Sequence, residues 1–171
     1  CFPKDVKAML KSAADEGYDF KILHAVEAVN QLQKSKLVEK MQAHFGDMKG
    51  KTIALWGLAF KPRTDDMREA PAITIIEGLL ARGASVRAYD PEAIGTARKI
   101  FGDRVQYAQK SYDALEGADA LVIVTEWNEF REPDFGRMRQ LLRAPVIFDG
   151  RNLYAPEHMK SVGFTYYSVG R

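Results

Sequence analysis

Cysteine occurs once, at position 1, so the chain can close no disulfide of its own, and a lone thiol fits a reducing cytosol. No apolar run approaches the roughly 20 residues that a membrane-spanning helix needs, and no signal-peptide pattern opens the chain. Neither sign of charge prevails: 25 Lys and Arg face 23 Asp and Glu, for a net charge of +2. No basic run is interleaved with aromatics, so nucleic acid is not an expected partner. Internal repeats and low-complexity segments are absent. The three histidines, His24, His44 and His158, are not spaced with other ligand types, and no metal site is expected. The chain begins on cysteine rather than methionine, which points to a piece of something longer.

What is present is an ordinary globular composition, 46% hydrophobic and 28% charged over 171 residues. Pro3 suits a first helical position and Asp5 the first turn; Val6, Met9, Leu10 and Ala13 recur at helical spacing, so a helix is expected over 3–15, broken by Gly17. A second periodic stretch, 19–45, carries Ile22, Val26, Val29, Leu37 and Met41 along one side. As a helix it would be roughly 40 Å long, the length of a spine or a subunit interface. Gly46 to Gly50 forms the clearest boundary. Beyond it the texture alternates, with strands expected at 52–56, 85–89, 105–107, 120–124, 146–148 and 164–167. Helices are expected at 71–82, 91–101, 111–116 and 134–142. The nearly all-apolar Leu121-Val122-Ile123-Val124 suits a sheet covered on both faces. The expected fold is α/β, a Rossmann-like doubly wound parallel sheet preceded by a helical segment.

Chemistry concentrates where strands end. The loop after the first strand, residues 57–70, holds Lys61, Arg63 and Arg68, far more charge than a two- to six-residue connection requires. A glycine turn, a nearby helix start and a lysine together suit a phosphate or diphosphate. Yet Gly57 stands alone, without the G-x-G-x-x-G dinucleotide fingerprint. Asp90 ends the second strand, where cofactor domains hold a ribose; with Pro91 behind it, a turn or helix cap is the favoured reading. Arg151, in Asp149-Gly150-Arg151-Asn152, follows the fifth strand and is expected to project toward the same crevice as Lys61. Trp127 and Phe130 follow the fourth strand and read as cover for the sheet. Cys1 sits before a helix start near Lys4, and both features favour thiolate. Asp5 would raise the thiol pKa and is better suited to ordering a water.

Three motifs then match a family. Cys-Phe-Pro-Lys-Asp at 1–5, Gly-Leu-Ala-Phe-Lys-Pro-Arg-Thr-Asp-Asp-Met-Arg-Glu-Ala-Pro at 57–71 and Asp-Gly-Arg-Asn at 149–152 resemble the UDP-glucose/GDP-mannose dehydrogenase family, in its order and spacing over the whole chain. Thr125 to Phe130 looks more like the UDP-glucose branch than the GDP-mannose or UDP-N-acetylmannosamine branches. The resemblance implies oxidation of a nucleotide-sugar C6 alcohol to the acid with two NAD⁺, through a cysteine thiohemiacetal and thioester. It implies Cys1 as nucleophile and Asp5 as the residue positioning water. Lys4 and Arg68 become NAD contacts, Phe60 and Lys61 substrate contacts, and Arg151 a contact to the UDP-sugar. Residues 1–48 would be the end of a central helical dimerisation domain and 49–171 a UDP-sugar-binding domain, in a cytoplasmic homodimer acting on UDP-glucose. The family's amino-terminal NAD-binding domain is not among these residues, so the chain alone is not expected to turn over.

Two alternatives stay open: a non-catalytic dimerisation and nucleotide-binding module in which Cys1 is incidental, and another branch of the same family. Alkylation of the Cys1 thiol in the full-length protein separates the first from the enzymatic reading. Turnover should vanish if Cys1 is the nucleophile, and survive if it is not.

Overall fold

Six segments pair side by side, all parallel: β1 (Thr52–Trp56), β2 (Ser85–Tyr89), β3 (Gln106–Tyr107), β4 (Ala120–Ile123), β5 (Val146–Asp149) and β6 (Thr165–Ser168). The order across the sheet is β3-β2-β1-β4-β5-β6, the doubly wound arrangement that the alternating pattern predicts. The structure is a computed structural model and describes residues 2–170. Cys1 lies outside the described residues.

Between the strands run α3 (Pro71–Leu80), α4 (Ile94–Phe101), α5 (Phe135–Leu141) and α6 (Pro156–Ser161), preceded by α1 (Phe2–Asp15) and α2 (Lys21–Phe45). Because side chains alternate along a strand, each strand feeds two cores. Ile53, Leu55, Val122 and Phe148 point to one face, against Leu37, Val38 and Met41 of α2 and the buried side of α3. Ala54, Trp56, Leu121, Ile123 and Ile147 point to the other, against Phe130, Met138 and Met159. Every residue of β4 and β5 is buried, as a sheet covered on both faces requires. Phe130 stacks on Trp56 with centroids 4.8 Å apart, so it does cover the sheet.

Residues Cys1–Lys36 and Leu37–Arg171 form two compact units, and the division falls within α2. In the first, Ile22, Val29 and Leu32 are exposed at 73%, 56% and 62%, whereas Leu37 and Met41 of the second are buried. The expected single apolar side of the long helix therefore changes character along its length.

Local departures have local causes. The expected helix at 111–116 is a four-residue 3₁₀ turn, Tyr112–Leu115, too short for successive i→i−4 bonds. The helix expected from Pro91 starts at Ile94, because the Asp90 carboxylate takes the amides of Glu92 and Ala93 in a turn. Helix α6 was not anticipated; Pro156 at its first position was the available signal.

The switch in winding direction lies between β1 and β4, and one residue makes it possible. Gly57 has φ +95°, and a Cβ there would sit 2.5 Å from both the backbone nitrogen and the Cβ of Thr125. Gly57→Ala should therefore lower the unfolding free energy by at least about 2 kcal/mol, from left-handed backbone strain and steric overlap combined. Urea unfolding followed by tryptophan fluorescence measures this. A loss below about 0.5 kcal/mol would mean that the turn is looser than described.

Candidate functional site

In a doubly wound sheet, ligands bind beyond the carboxyl ends of the strands where the winding reverses. Here that crevice is bounded by the 57–70 loop after β1, the loop from Val124 after β4, and the loop from Gly150 after β5. These loops are tied together by main chain. The Val124 amide donates to the Trp56 carbonyl (2.8 Å), Gly57 to Tyr89 (2.9 Å), and Gly150 to Ile123 (2.9 Å). A Cβ on Gly150 would lie 2.8 Å from the end of the Leu37 side chain and 3.0 Å from the Ile123 carbonyl, so the loop passes close against β4 there.

Asp90 is 1% exposed and accepts five hydrogen bonds. Its Oδ2 receives the amides of Leu58 (2.6 Å) and Ala59 (3.1 Å) and the indole N–H of Trp127 (3.2 Å). Its Oδ1 receives the amides of Glu92 and Ala93, both at 2.9 Å. The turn reading of Asp90 is thus correct but incomplete. The expectation that the Gly57 turn offers backbone donors to a phosphate needs correction, because the Leu58 and Ala59 amides are already used. Thr125, fully buried, completes the tie by donating Oγ1 to the Ala59 carbonyl at 2.5 Å. The sequence marks Thr125 only as the start of the 125–130 loop, and its tie to Ala59 carries no local signal.

Arg151 enters from the other side. Asp149, fully buried, accepts the Arg151 amide on Oδ1 (2.8 Å), and on Oδ2 the Leu153 amide and the Tyr166 hydroxyl (both 2.8 Å). The guanidinium then donates Nε to the Val124 carbonyl (2.7 Å) and Nη2 to the Phe60 carbonyl (3.2 Å). Nε also lies 3.0 Å from Glu126 Oε2. Since its hydrogen is directed at Val124, that approach is an ion contact without a hydrogen bond. Asn152 holds the loop end with φ +54°, donating to the Val169 carbonyl and accepting the Val169 amide, both at 3.0 Å.

The structure thus brings Phe60 and Arg151 into direct contact, with Lys61 next along the chain. Lys61 is exposed, with Nζ 5.2 Å from the Phe60 ring centroid, and makes no ion pair among the described residues. Arg68 is engaged: its Nη2 lies 2.6 Å and its Nε 3.0 Å from the Asp66 carboxylate. The hydrogen bonds from Arg68 pull the Asp66 carboxyl down to about 2, from an ordinary 3.8. Arg68 also borders an open groove of about 750 Å³, with Met67, Ile73, Thr96 and Ile100 on its walls. Tyr89 and Glu129 form a further polar pair at the end of β2, 3.2 Å apart. Burial, then the Glu129 charge, pushes the Tyr89 hydroxyl up to about 12. Lys4 and Asp5 lie exposed in the first turn of α1, in the other compact unit. Among the described residues no group of three or more His, Cys, Asp or Glu could hold a metal ion, and no helix is long and apolar enough to cross a membrane.

The sequence and the fold have relatives among known proteins. Over its whole length the chain is 51% identical to a UDP-glucose 6-dehydrogenase of Pseudomonas aeruginosa and 46% identical to UDP-glucose 6-dehydrogenase TuaD of Bacillus subtilis. It spans only 39% and 37% of the lengths of those two relatives. Among solved structures, a UDP-glucose dehydrogenase from the archaeon Pyrobaculum islandicum superposes with a TM-score of 0.82 at 32% identity, over 98% of this chain and 36% of that one. Residues 54–156, which contain the glycine turn, Lys61, Asp90 and Arg151, match the UDP binding domain of the UDP-glucose/GDP-mannose dehydrogenase family, and the chain belongs to that family.

Proposed function

We propose that the chain is the carboxy-terminal part of a UDP-glucose 6-dehydrogenase and that residues 49–171 hold the UDP end of UDP-glucose. The observation that carries this reading is the Arg151 guanidinium bonded to the Phe60 carbonyl at the winding switch, with the unpaired cation of Lys61 beside it. A guanidinium fixed by two carbonyls presents its remaining donors in a set direction, and a lysine adds a mobile point charge; together they suit a diphosphate. Phe60 contributes a half-buried ring at the same edge. Binding energy collected there, remote from the reacting carbon, holds the sugar C6 in place for chemistry.

In this reading residues 1–48 close a central helical domain. The Cys1 thiolate adds to the C6 aldehyde intermediate to give a thiohemiacetal. That adduct loses hydride to the oxidant and a proton to become a thioester, and Asp5 orients the water that hydrolyses it and releases the thiol. NAD⁺ is the oxidant of the full-length protein. The Gly57 turn does not fit it, because Asp90 occupies the amides that a dinucleotide pyrophosphate would need. Lys4 and Arg68 would touch the cofactor from the side of this chain. A lone catalytic thiol suits the cytoplasm. The exposed Ile22, Val29 and Leu32, which fall on one stripe of α2, would be covered by a second copy in a homodimer.

Titration calorimetry of UDP-glucose into the 171-residue chain and into the full-length protein, each with Lys61→Ala and Arg151→Ala, tests the substrate reading. Each substitution should weaken binding about tenfold or more, equivalent to about 1.4 kcal/mol. A full-length protein that ignores UDP-glucose would sink the assignment. For the dimer, Ile22→Glu combined with Leu32→Glu should shift sedimentation of the full-length protein toward the monomer; an unchanged sedimentation coefficient would remove α2 from the interface.

A further inference from the structure

A buried carboxylate is costly unless its charge is met by donors, and one that receives five is a designed feature of the fold. The donors to Asp90 come from three separate places: the Gly57 turn, the turn before α4 and the indole of Trp127. Two of them, the Leu58 and Ala59 amides, are of the kind that cradle a phosphate in nucleotide-binding turns. The residues that follow them directly are Phe60 and Lys61. The Ala59 carbonyl is held by Thr125, and the Phe60 carbonyl by Arg151. Asp90 therefore anchors the amides of the segment that bears the proposed substrate contacts, while Thr125 and Arg151 hold its carbonyls.

We propose that Asp90 is the positioning residue of this site: its carboxylate takes from within the place that a ligand phosphate would occupy at the Gly57 turn, fixing Phe60 and Lys61 beside Arg151 and excluding a dinucleotide pyrophosphate from that turn. The inference deepens, and rests on, the reading of the crevice as a UDP-sugar site. Asp90 itself does not touch substrate. Its effect passes through the backbone of 58–61, where a displacement of about 1 Å is enough to misdirect a cation and lose much of its contribution.

The test uses the full-length protein with Asp90→Asn and Asp90→Gly. Asparagine keeps the shape but replaces one carboxylate oxygen by an NH2 and removes the charge, so whichever way the amide turns at least two of the five donors lose their acceptor. Glycine leaves a space ringed by donors that formate can enter. Asp90→Asn should raise KM for UDP-glucose on the order of tenfold while kcat stays within about twofold, the pattern of lost binding that ground and transition states share. Hydrogen exchange of segment 57–61, read by mass spectrometry without ligand, should accelerate in both variants. Excess formate should restore both exchange protection and KM in Asp90→Gly but not in Asp90→Asn, where the amide fills the space.

An unchanged KM in Asp90→Asn, or a folded Asp90→Gly protein indifferent to formate, would overturn the proposal. So would collapse of the whole domain in both variants, which would assign Asp90 to folding rather than positioning. Should the unsubstituted protein fail to bind UDP-glucose, the functional reading falls, while the exchange measurement still decides whether Asp90 holds the turn.

Discussion

A charge taken out of water must be answered by the protein, and in this domain the answer to Asp90 organises the carboxyl edge of the sheet. The strands β1 and β2 deliver the glycine turn and the carboxylate to the same point, and the parallel register that pairs Trp56 with Tyr89 makes their meeting unavoidable. Trp127 reaches in from the loop after β4, so a single acceptor links three consecutive positions across the sheet, β2, β1 and β4. Its satisfaction explains how a Rossmann-like sheet can do without the glycine-rich fingerprint. The turn keeps its backbone shape because an internal anion stands in for the external one.

The cations of the edge are held in unlike ways. Arg151 is fixed by two carbonyls and tempered by Glu126 at 3.0 Å, with both side chains about two-thirds buried. Arg68 is clamped on Asp66 at the surface, where screening by water keeps such pairs weak. Lys61, like Arg63 in the same loop, makes no ion pair among the described residues, so in the proposed site it would supply long-range pull on an anion while Arg151 supplied direction. Phe60 stands between them, its carbonyl spent on Arg151 and its ring beside the lysine ammonium.

Much of this could be read from the chain itself. The strands were legible because a doubly covered sheet demands continuous apolar runs, and Leu121-Val122-Ile123 is one. The loops at 57–70 and 149–152 stood out in the sequence because charge gathers there at strand ends, and part of that charge, Asp149 and Arg151, serves the fold itself. The partnership of Asp90 with Leu58 and Ala59, and of Thr125 with Ala59, was not legible. These contacts join residues 31 to 66 positions apart, and no local periodicity encodes which strand ends become neighbours. The same holds for Tyr89 and Glu129, whose pairing depends on the order of strands rather than on either residue's surroundings in the chain. Helix α6 escaped notice because six residues are too few to show a helical period.

Asn152 leaves one more mark on the architecture. Its side-chain amide both donates to and accepts from the backbone of Val169, one residue past the end of β6. A carboxamide there imitates a peptide unit and adds a rung to the β5–β6 ladder after the strands themselves have parted. The outermost strand is thereby laced to the residue following Arg151, and the rim of the sheet becomes a structural tether for its centre. Changes near the carboxyl end of the chain can consequently be felt at the crevice, three strands inward, without any side chain crossing the distance.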